Sequence, residues 1–324
     1  MPSQSQSMRS AEQDKRPHEK FERLVAKAQG LQPVTTAVAH PCDEVSLEGA
    51  VQAAKMRLIV PILVGPSARI REVAGLAKLD IDGFELVDAE HSHDAAAKAV
   101  ALVRSGRAEA LMKGSLHTDE LMGAAVSREA GLRTARRISH CFVMDVPGQP
   151  SAFVITDAAV NIMPTLEEKV DIVQNAIDLA HILGVEEVRV AILSAMETVN
   201  PKVPSTLEAA ALCKMADRGQ ITGALLDGPL ALDNAISPEA VAVKKIASLV
   251  AGRANVLVVP DLEAGNMLAK SLSLLAGADG AGIVLGARVP IILTSRADAL
   301  LTRLASCAVA VLIADSRRKS TAIN

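Results

Sequence analysis

Short apolar runs rich in β-branched residues alternate with amphipathic stretches along almost the whole chain, and this rhythm constrains the fold more than any other feature. "TAVAH" at 36–40 precedes the helical pattern "SLEGAVQAAKM". "LIVPILVG" ends at Gly65 and Pro66, where Ser67 is placed to cap "ARIREVAGLA". "FELVDA" leads into the Ala-rich "DAAAKAVALVRSG", and "EALMKG" follows. The runs are apolar at successive positions, so both faces of each strand need cover. A βαβα order supplies that cover as helices over a parallel sheet.

After Pro147 and Gly148 the rhythm restarts with "SAFVIT" and "TLEEKVDIVQNAIDLAHILG". Thr165 and Glu168 form a capping-box pattern, and Val170, Val173, Ile177 and Ala180 follow at helical spacing. "VRVAILS" reads as a strand, and Ser205 with Glu208 repeats the capping pattern before "AAALCKMA". "ITGALLDGP", "NVLVVPD", "AGIVLGARVPIIL" and "VAVLIAD" read as further strands. Two α/β domains fit 324 residues better than one giant sheet. The expected division is a disordered segment over 1–20, a first domain over 21–146 completed by 297–324, and a second over 147–296.

Composition removes several classes of function. Lys and Arg total 34 against 37 Asp and Glu, with no basic stripe and no aromatic platform, so nucleic acid is not an expected partner. Trp and Tyr are absent and Phe numbers four, so an adenine ring would rest on aliphatic or Arg surface. The four Cys lie far apart beside apolar residues, as buried reduced thiols do. The first 20 residues are polar, unlike a signal peptide, and no apolar run approaches the ~20 residues of a membrane helix. A cytoplasmic protein is expected.

Sheets of this type place ligands at the carboxyl ends of their strands. Those ends read Lys113-Gly114-Ser115, Asp157, Ser194 to Glu197, Asp227-Gly228, Asp261 to Asn266, and Ser295-Arg296. "ALMKGSLHTDEL" sets Lys113, Ser115, His117 and Thr118 after a strand and before a helix, a good anion cradle. An ordinary N-cap with a solvated Lys113 is the alternative. The spacing is not that of a Walker loop. "GLRTARRISH" carries Arg133, Arg136 and Arg137 and runs straight into the apolar "CFVMDV". A solvated face is the usual reading of such a run, but guanidiniums over a cleft suit phosphate. "PDLEAGNMLAKSL" packs Asp261, Glu263 and Asn266 around Gly265, where helix capping competes with binding. "GADGAGIVLG", which ends at Gly286, lacks the dinucleotide-binding arrangement. No His pair has zinc-helix spacing, so no metal is expected. "VPIILTSRADALL" ends a strand with the hydroxyl of Ser295, the guanidinium of Arg296 and the carboxylate of Asp298.

Taken in order, "LMKGSLHTDEL", "GLRTARRISH", "ITDAAVNIMPTLEEKVDIVQNAI", "VAILSAMETVNPKVPST", "GPLALDNAIS", "NVLVVPDLEAGNMLAKSL" and "VPIILTSRAD" resemble the phosphate acetyl/butyryl transferase family. The "HTDEL…GLRTARRISH" and "LTSRAD" forms draw it toward the butyryl branch. The resemblance implies two three-layer αβα domains with mostly parallel sheets, of the isopropylmalate-dehydrogenase-like type, with the active site in a cleft between them. It implies a homodimer and reversible transfer of a short acyl group between coenzyme A and phosphate. Coenzyme A is then a co-substrate, and no tightly bound cofactor is expected. Ser295 and Arg296 match the family's Ser-Arg pair at the thiol and acyl phosphate. Asp298 completes the expected catalytic set, and Lys113, Ser115, Thr118, Arg133, Arg136 and Arg137 the phosphate set. Asp261, Glu263, Asn266 and Gly286 are assigned to coenzyme A and the acyl group.

Two departures stand out. The Asp taken as base in acetyl-type members falls near Thr302 here, and their Arg five residues after the Thr matching Thr118 is Gly123. The missing base favours one alternative, a binding protein that has kept the fold and lost turnover. A two-domain dehydrogenase is the other; it needs metal-binding carboxylates and a nucleotide fingerprint, and neither is convincing.

Overall fold

The computed structural model describes residues 19–295 and 298–323. The chain divides into two compact units, one of residues 24–138 with the segment from 281 onward, the other of residues 139–280 with the segment up to 23.

In chain order, helix α1 (Glu19–Gln29) leads to strand β1 (Val34–Ala39), α2 (Glu44–Lys55), β2 (Ile59–Gly65) and α3 (Ser67–Leu76). Then come β3 (Glu85–Asp88), α4 (Ser92–Arg104), β4 (Ala110–Lys113) and α5 (Thr118–Val126). Side-chain caps start α2 and α4: Asp43 Oδ1 accepts from Ser46 N at 2.8 Å, and His91 Nδ1 from Asp94 N at 3.2 Å. Ser67 does not cap α3 as expected; it is the first helical residue, behind Pro66. In the first unit the strand order is β3-β2-β1-β4, parallel throughout. The chain steps outward from β1 to β3 and then returns across the sheet to β4. Right-handed crossovers therefore put α2 and α3 on one face and α4 on the other. The reversal of strand order lies between β1 and β4, which is where such sheets open a crevice at their carboxyl ends.

The second unit holds β5 (Ser139–Asp145), β6 (Phe153–Thr156), α6 (Leu166–Leu183), β7 (Arg189–Leu193), α7 (Pro204–Asp217) and β8 (Leu225–Leu230). Short helices α8 (Leu232–Ile236) and α9 (Pro238–Lys244) lead to β9 (Val256–Val258) and α10 (Leu262–Leu275). Its strand order is β5-β6-β9-β7-β8, parallel except for the β5–β6 hairpin. Phe153, Ile155, Ala191, Leu193, Leu230, Leu257 and Val259 form its core. The Thr165–Glu168 capping box closes as the spacing requires, with Thr165 N to Glu168 Oε2 at 2.9 Å and Glu168 N to Thr165 Oγ1 at 3.3 Å. Gly184 ends that helix in the left-handed region, φ +97°.

The chain then returns to the first unit through β10 (Asp279–Leu285), β11 (Ile291–Ile292) and α11 (Leu300–Ile323). β11 lies parallel to β4, pairing Ile292 with Met112, and antiparallel to β10. Every residue of α11 from Thr302 to Ala314 is buried.

Three further readings of the sequence differ from these elements. "VAVLIAD" is not a late strand but the middle of α11. A continuous apolar run has no period to separate a buried strand from a helix buried all round. The expected Ser205–Glu208 capping box does not form, because Pro204 takes the first helical position of α7. Ser205 Oγ instead meets Ser194 Oγ at 2.8 Å, and Glu208 pairs with the buried Lys169. The units divide between Ile138 and Ser139, before the Pro147–Gly148 turn, because β5 pairs with β6. Residues 1–18 of the segment expected to be disordered lie outside the described residues, while Glu19 and Lys20 open α1.

Candidate active site

The carboxyl ends of three neighbouring parallel strands, β1, β4 and β11, converge in the first unit. Ala39 pairs with Lys113 across β1 and β4, so His40 and Gly114 are the next residues out. A Cβ on Gly114 would lie 2.3 Å from Ala39 O and 2.6 Å from His40 O, so only glycine permits this approach. The chain turns sharply at His40, φ +53°, a conformation uncommon outside glycine and enriched in His, Asn and Asp. That turn aims the His40 carbonyl at three donors: Cys42 N at 2.9 Å, Ser115 N at 2.9 Å and Ser115 Oγ at 2.8 Å.

Ser115 Oγ also lies 3.0 Å from His40 Nδ1. Its single proton points to the His40 carbonyl, so the short contact to the ring requires Nδ1 to be the donor. The imidazole is half-buried, and burial lowers its pKa below 6.5 against the opposing charges of Glu120 and Asp43. At neutral pH the ring is therefore uncharged, with its proton on Nδ1.

Lys113 ends β4 with only 5% of its surface exposed. Its ammonium lies 3.4 Å from Gly114 O and 3.5 Å from Thr294 O, bringing a positive charge from β4 to the end of β11. From α11, Arg303, 3% exposed, donates through Nη1 to Thr294 Oγ1 at 3.2 Å and through Nη2 to Ser295 O at 2.6 Å. A Cβ on Gly49 would come within 3.0 Å of Arg303 Cδ, so the glycine leaves room on α2 for the Arg303 stem.

Ser295 is exposed, and Asp298 folds back on it. Asp298 N donates to Ser295 O at 3.2 Å, and Asp298 Oδ2 accepts from Ser295 N at 2.6 Å, which is the carboxylate half of a capping box. Burial raises the Asp298 pKa above the ordinary carboxylate value, while the Ser295 N–H, Arg303 and Lys113 pull it down. Arg296 lies outside the described residues. Thr302, where acetyl-type members carry their Asp, is buried in α11 and its carbonyl accepts from Ser306 Oγ at 2.8 Å.

The structure thus brings Lys113, Ser115, Ser295 and Asp298 to adjacent strand ends. It adds His40, Thr294 and Arg303, which the sequence reading did not select. Arg303 left one trace, a lone charge inside the apolar pattern of α11. Thr118 is the first residue of α5, whose cap is His117 with Glu120.

The arginine segment sits elsewhere in the same unit. Arg133 bridges Ala287, and Thr134 Oγ1 donates to Gly286 O at 2.7 Å. Gly286, φ +79°, runs so close that a Cβ would lie 2.1 Å from Arg137 O. Its evident task is to let that segment pass. Arg133 and Arg137 are exposed, and Arg136 is half-buried.

In the second unit, Asp261 caps α10 by accepting from Ala264 N at 2.8 Å, and Asn266 Nδ2 donates to Ala158 O at 3.3 Å. Glu263 is exposed on the first turn. Asp157, at the end of β6, accepts from the backbone N–H groups of His140, Ala159, Val160 and Asn161 and from Asn161 Nδ2. Such a saturated carboxylate anchors a turn. His140 beside it is fully buried, and that burial lowers its pKa to about 4 despite the nearby Asp157 charge. All four Cys are free thiols, and burial raises the pKa of Cys42 to about 11 and those of the other three to about 12.

A family model described as phosphate acetyl/butaryl transferase matches residues 89–311. A phosphate acetyltransferase of Rhizobium meliloti is 66% identical, over 92% of this chain and 95% of that protein. A phosphate butyryltransferase of Clostridium acetobutylicum is 40% identical, over 92% of this chain and 99% of that protein. Among solved structures, a branched-chain phosphotransacylase from Enterococcus faecalis V583 superposes with a TM-score of 0.76 at 32% identity, covering 87% of this chain and 99% of that one.

Proposed function

The chain belongs to the phosphate acetyl/butyryl transferase family, and we propose that the strand-end cluster of Lys113, Ser115, Ser295 and Asp298 is where it works. It is an acyltransferase, moving a short acyl group reversibly between coenzyme A and phosphate. The observation carrying the site is the convergence of a buried ammonium, two hydroxyls and a tethered carboxylate at the ends of β1, β4 and β11, beside the reversal of strand order.

Transfer proceeds directly between the two substrates. The coenzyme A sulfur attacks the carbonyl carbon of the acyl phosphate, and the bond from that carbon to the phosphate oxygen breaks. The phosphate leaves with the electron pair. A cysteine acyl-enzyme is disfavoured by the raised pKa of every thiol in the chain, since thiolate is the nucleophilic form. Lys113 supplies positive charge where phosphate is gripped and where the carbonyl oxygen becomes negative. The Ser295 hydroxyl is a donor to that oxygen, and Asp298 orients Ser295 through its backbone N–H. Arg296 adds a guanidinium for the phosphoryl group, whereas Arg133 is tied to Ala287 between β10 and β11 and we assign the arginine segment no part in this site. Thr118, the first residue of α5, is assigned to phosphate.

Acetyl is the proposed acyl group, supported by the higher identity to the acetyl-named relative than to the butyryl-named one. On the family resemblance we place the protein in the cytoplasm as a homodimer with no tightly bound cofactor. Rates of acyl-CoA formation from acetyl, propionyl and butyryl phosphate test this reading. The expected kcat/KM order is acetyl, propionyl, butyryl, and the reverse order assigns the chain to the longer acyl group.

A further inference from the structure

We propose that His40 is the general base that takes the proton of the coenzyme A thiol, with Ser115 as the residue that orients its ring. This rests on the placement of the site at the ends of β1, β4 and β11. A thiol of ordinary pKa, about 8.5, is mostly protonated at neutral pH, so the direction that consumes coenzyme A needs a proton acceptor. The position matching the family's acidic base is Thr302, buried in α11 and unable to accept a proton at neutral pH.

Three observations single out His40. It stands one residue beyond the Ala39–Lys113 pair, at the end of β1 where the strand order reverses. Its ring is fixed: Nδ1 donates to Ser115 Oγ at 3.0 Å, and that hydroxyl is itself held by the His40 carbonyl at 2.8 Å and by Cys42 N at 3.3 Å. Spending the ring proton on Nδ1 leaves the lone pair on Nε2, and no hydrogen bond to Nε2 forms among the described residues. A base oriented through its far nitrogen by a third group is the arrangement catalytic histidines share.

The charge state agrees. Burial keeps the imidazole neutral, and the charges acting on it are Glu120 of α5 and Asp43 before α2. The two carboxylates would stabilise the imidazolium once it forms. From His40 to the end of β11 is two strand spacings, on the order of 10 Å, a span that a thiol and an acyl phosphate bridge between them. The proton passes from sulfur to Nε2 as the carbon–sulfur bond forms and the carbon–oxygen bond to phosphate breaks. In reverse, the departing thiolate takes that proton back from the imidazolium.

His40→Asn is the informative variant. Asn tolerates the left-handed backbone, and its amide can replace the Nδ1 donor to Ser115, so the turn survives while the base is lost. With acetyl phosphate and coenzyme A, kcat is expected to fall about 100- to 10,000-fold. The acidic limb of the wild-type profile should disappear, and rate should recover toward pH 8–9 as free thiolate accumulates. KM for acetyl phosphate should move little, and imidazole added to His40→Gly should restore part of the rate. Ser115→Ala should lower kcat less than His40→Asn. Wild-type turnover and an unchanged pH profile in His40→Asn, with Lys113→Met inactive, overturn the base while leaving the site in place. Wild-type turnover in both variants removes the site itself, and the base with it.

Discussion

Asp298 shows how one carboxylate's environment separates two roles. In sequence it can be either the base or a first-turn carboxylate that caps a helix and orients Arg296, and its position three residues after Ser295 suits the cap. In the structure its Oδ2 accepts the Ser295 N–H at 2.6 Å, the bond of a capping carboxylate. Its folded pKa is raised by burial, so the folded state holds the proton more tightly than the unfolded chain. Stability from this group is present below the ordinary value of 3.8 and is lost as pH rises through the raised value. Asp298→Asn keeps an acceptor for Ser295 N–H without the charge. The melting temperature at pH 7 is expected to hold or rise, and its dependence on pH above 3.8 to flatten. Turnover should stay within about tenfold, corresponding to ~1.4 kcal/mol. A hundredfold loss together with loss of the acidic limb would make Asp298 the base and displace His40.

At the scale of elements, the approach of β4 to β1 decides where the reactive groups stand. Gly114 passes within contact of the Ala39 and His40 carbonyls, and Lys113 and Ser115 flank it. In Gly114→Ala the added carbon meets backbone rather than a yielding side chain. Overpacking of this kind costs about 1–3 kcal/mol. Calorimetry should show that loss, with a disproportionate fall in kcat because Lys113 and His40 are pushed apart. Unchanged melting temperature and kcat would mean the strand ends adjust freely.

Much of this level was legible: β1, β4 and the polar residues after β4 and β11 follow from apolar runs that end in Lys, Ser and Thr. Arg303 and His40 were not legible, for different reasons. Arg303 reaches the loop from eight residues beyond Ser295, through a helix whose apolar pattern also fits a strand. His40 stands beside Ser115 only because β1 and β4 are neighbours in the sheet, 75 residues apart in the chain.

At the scale of the whole molecule, the alternating apolar and amphipathic rhythm was enough for the α/β class. The order of strands was beyond it, since the insertion of β9 between β6 and β7 has no local signature. The antiparallel β5–β6 hairpin places the division of the chain before the Pro-Gly turn that draws the eye in sequence. With strand order known, the reversal between β1 and β4 indicates a crevice, and the residues there carry the chemistry of acyl transfer. The most direct measurement is the initial rate of acetyl-CoA formation from acetyl phosphate and coenzyme A in the full chain and in Lys113→Met. Loss of the charge that Lys113 brings to the end of β11 should cost about a hundred- to a thousand-fold in kcat, in a variant that still unfolds cooperatively. Wild-type kcat in Lys113→Met would place the reaction away from the ends of β1, β4 and β11.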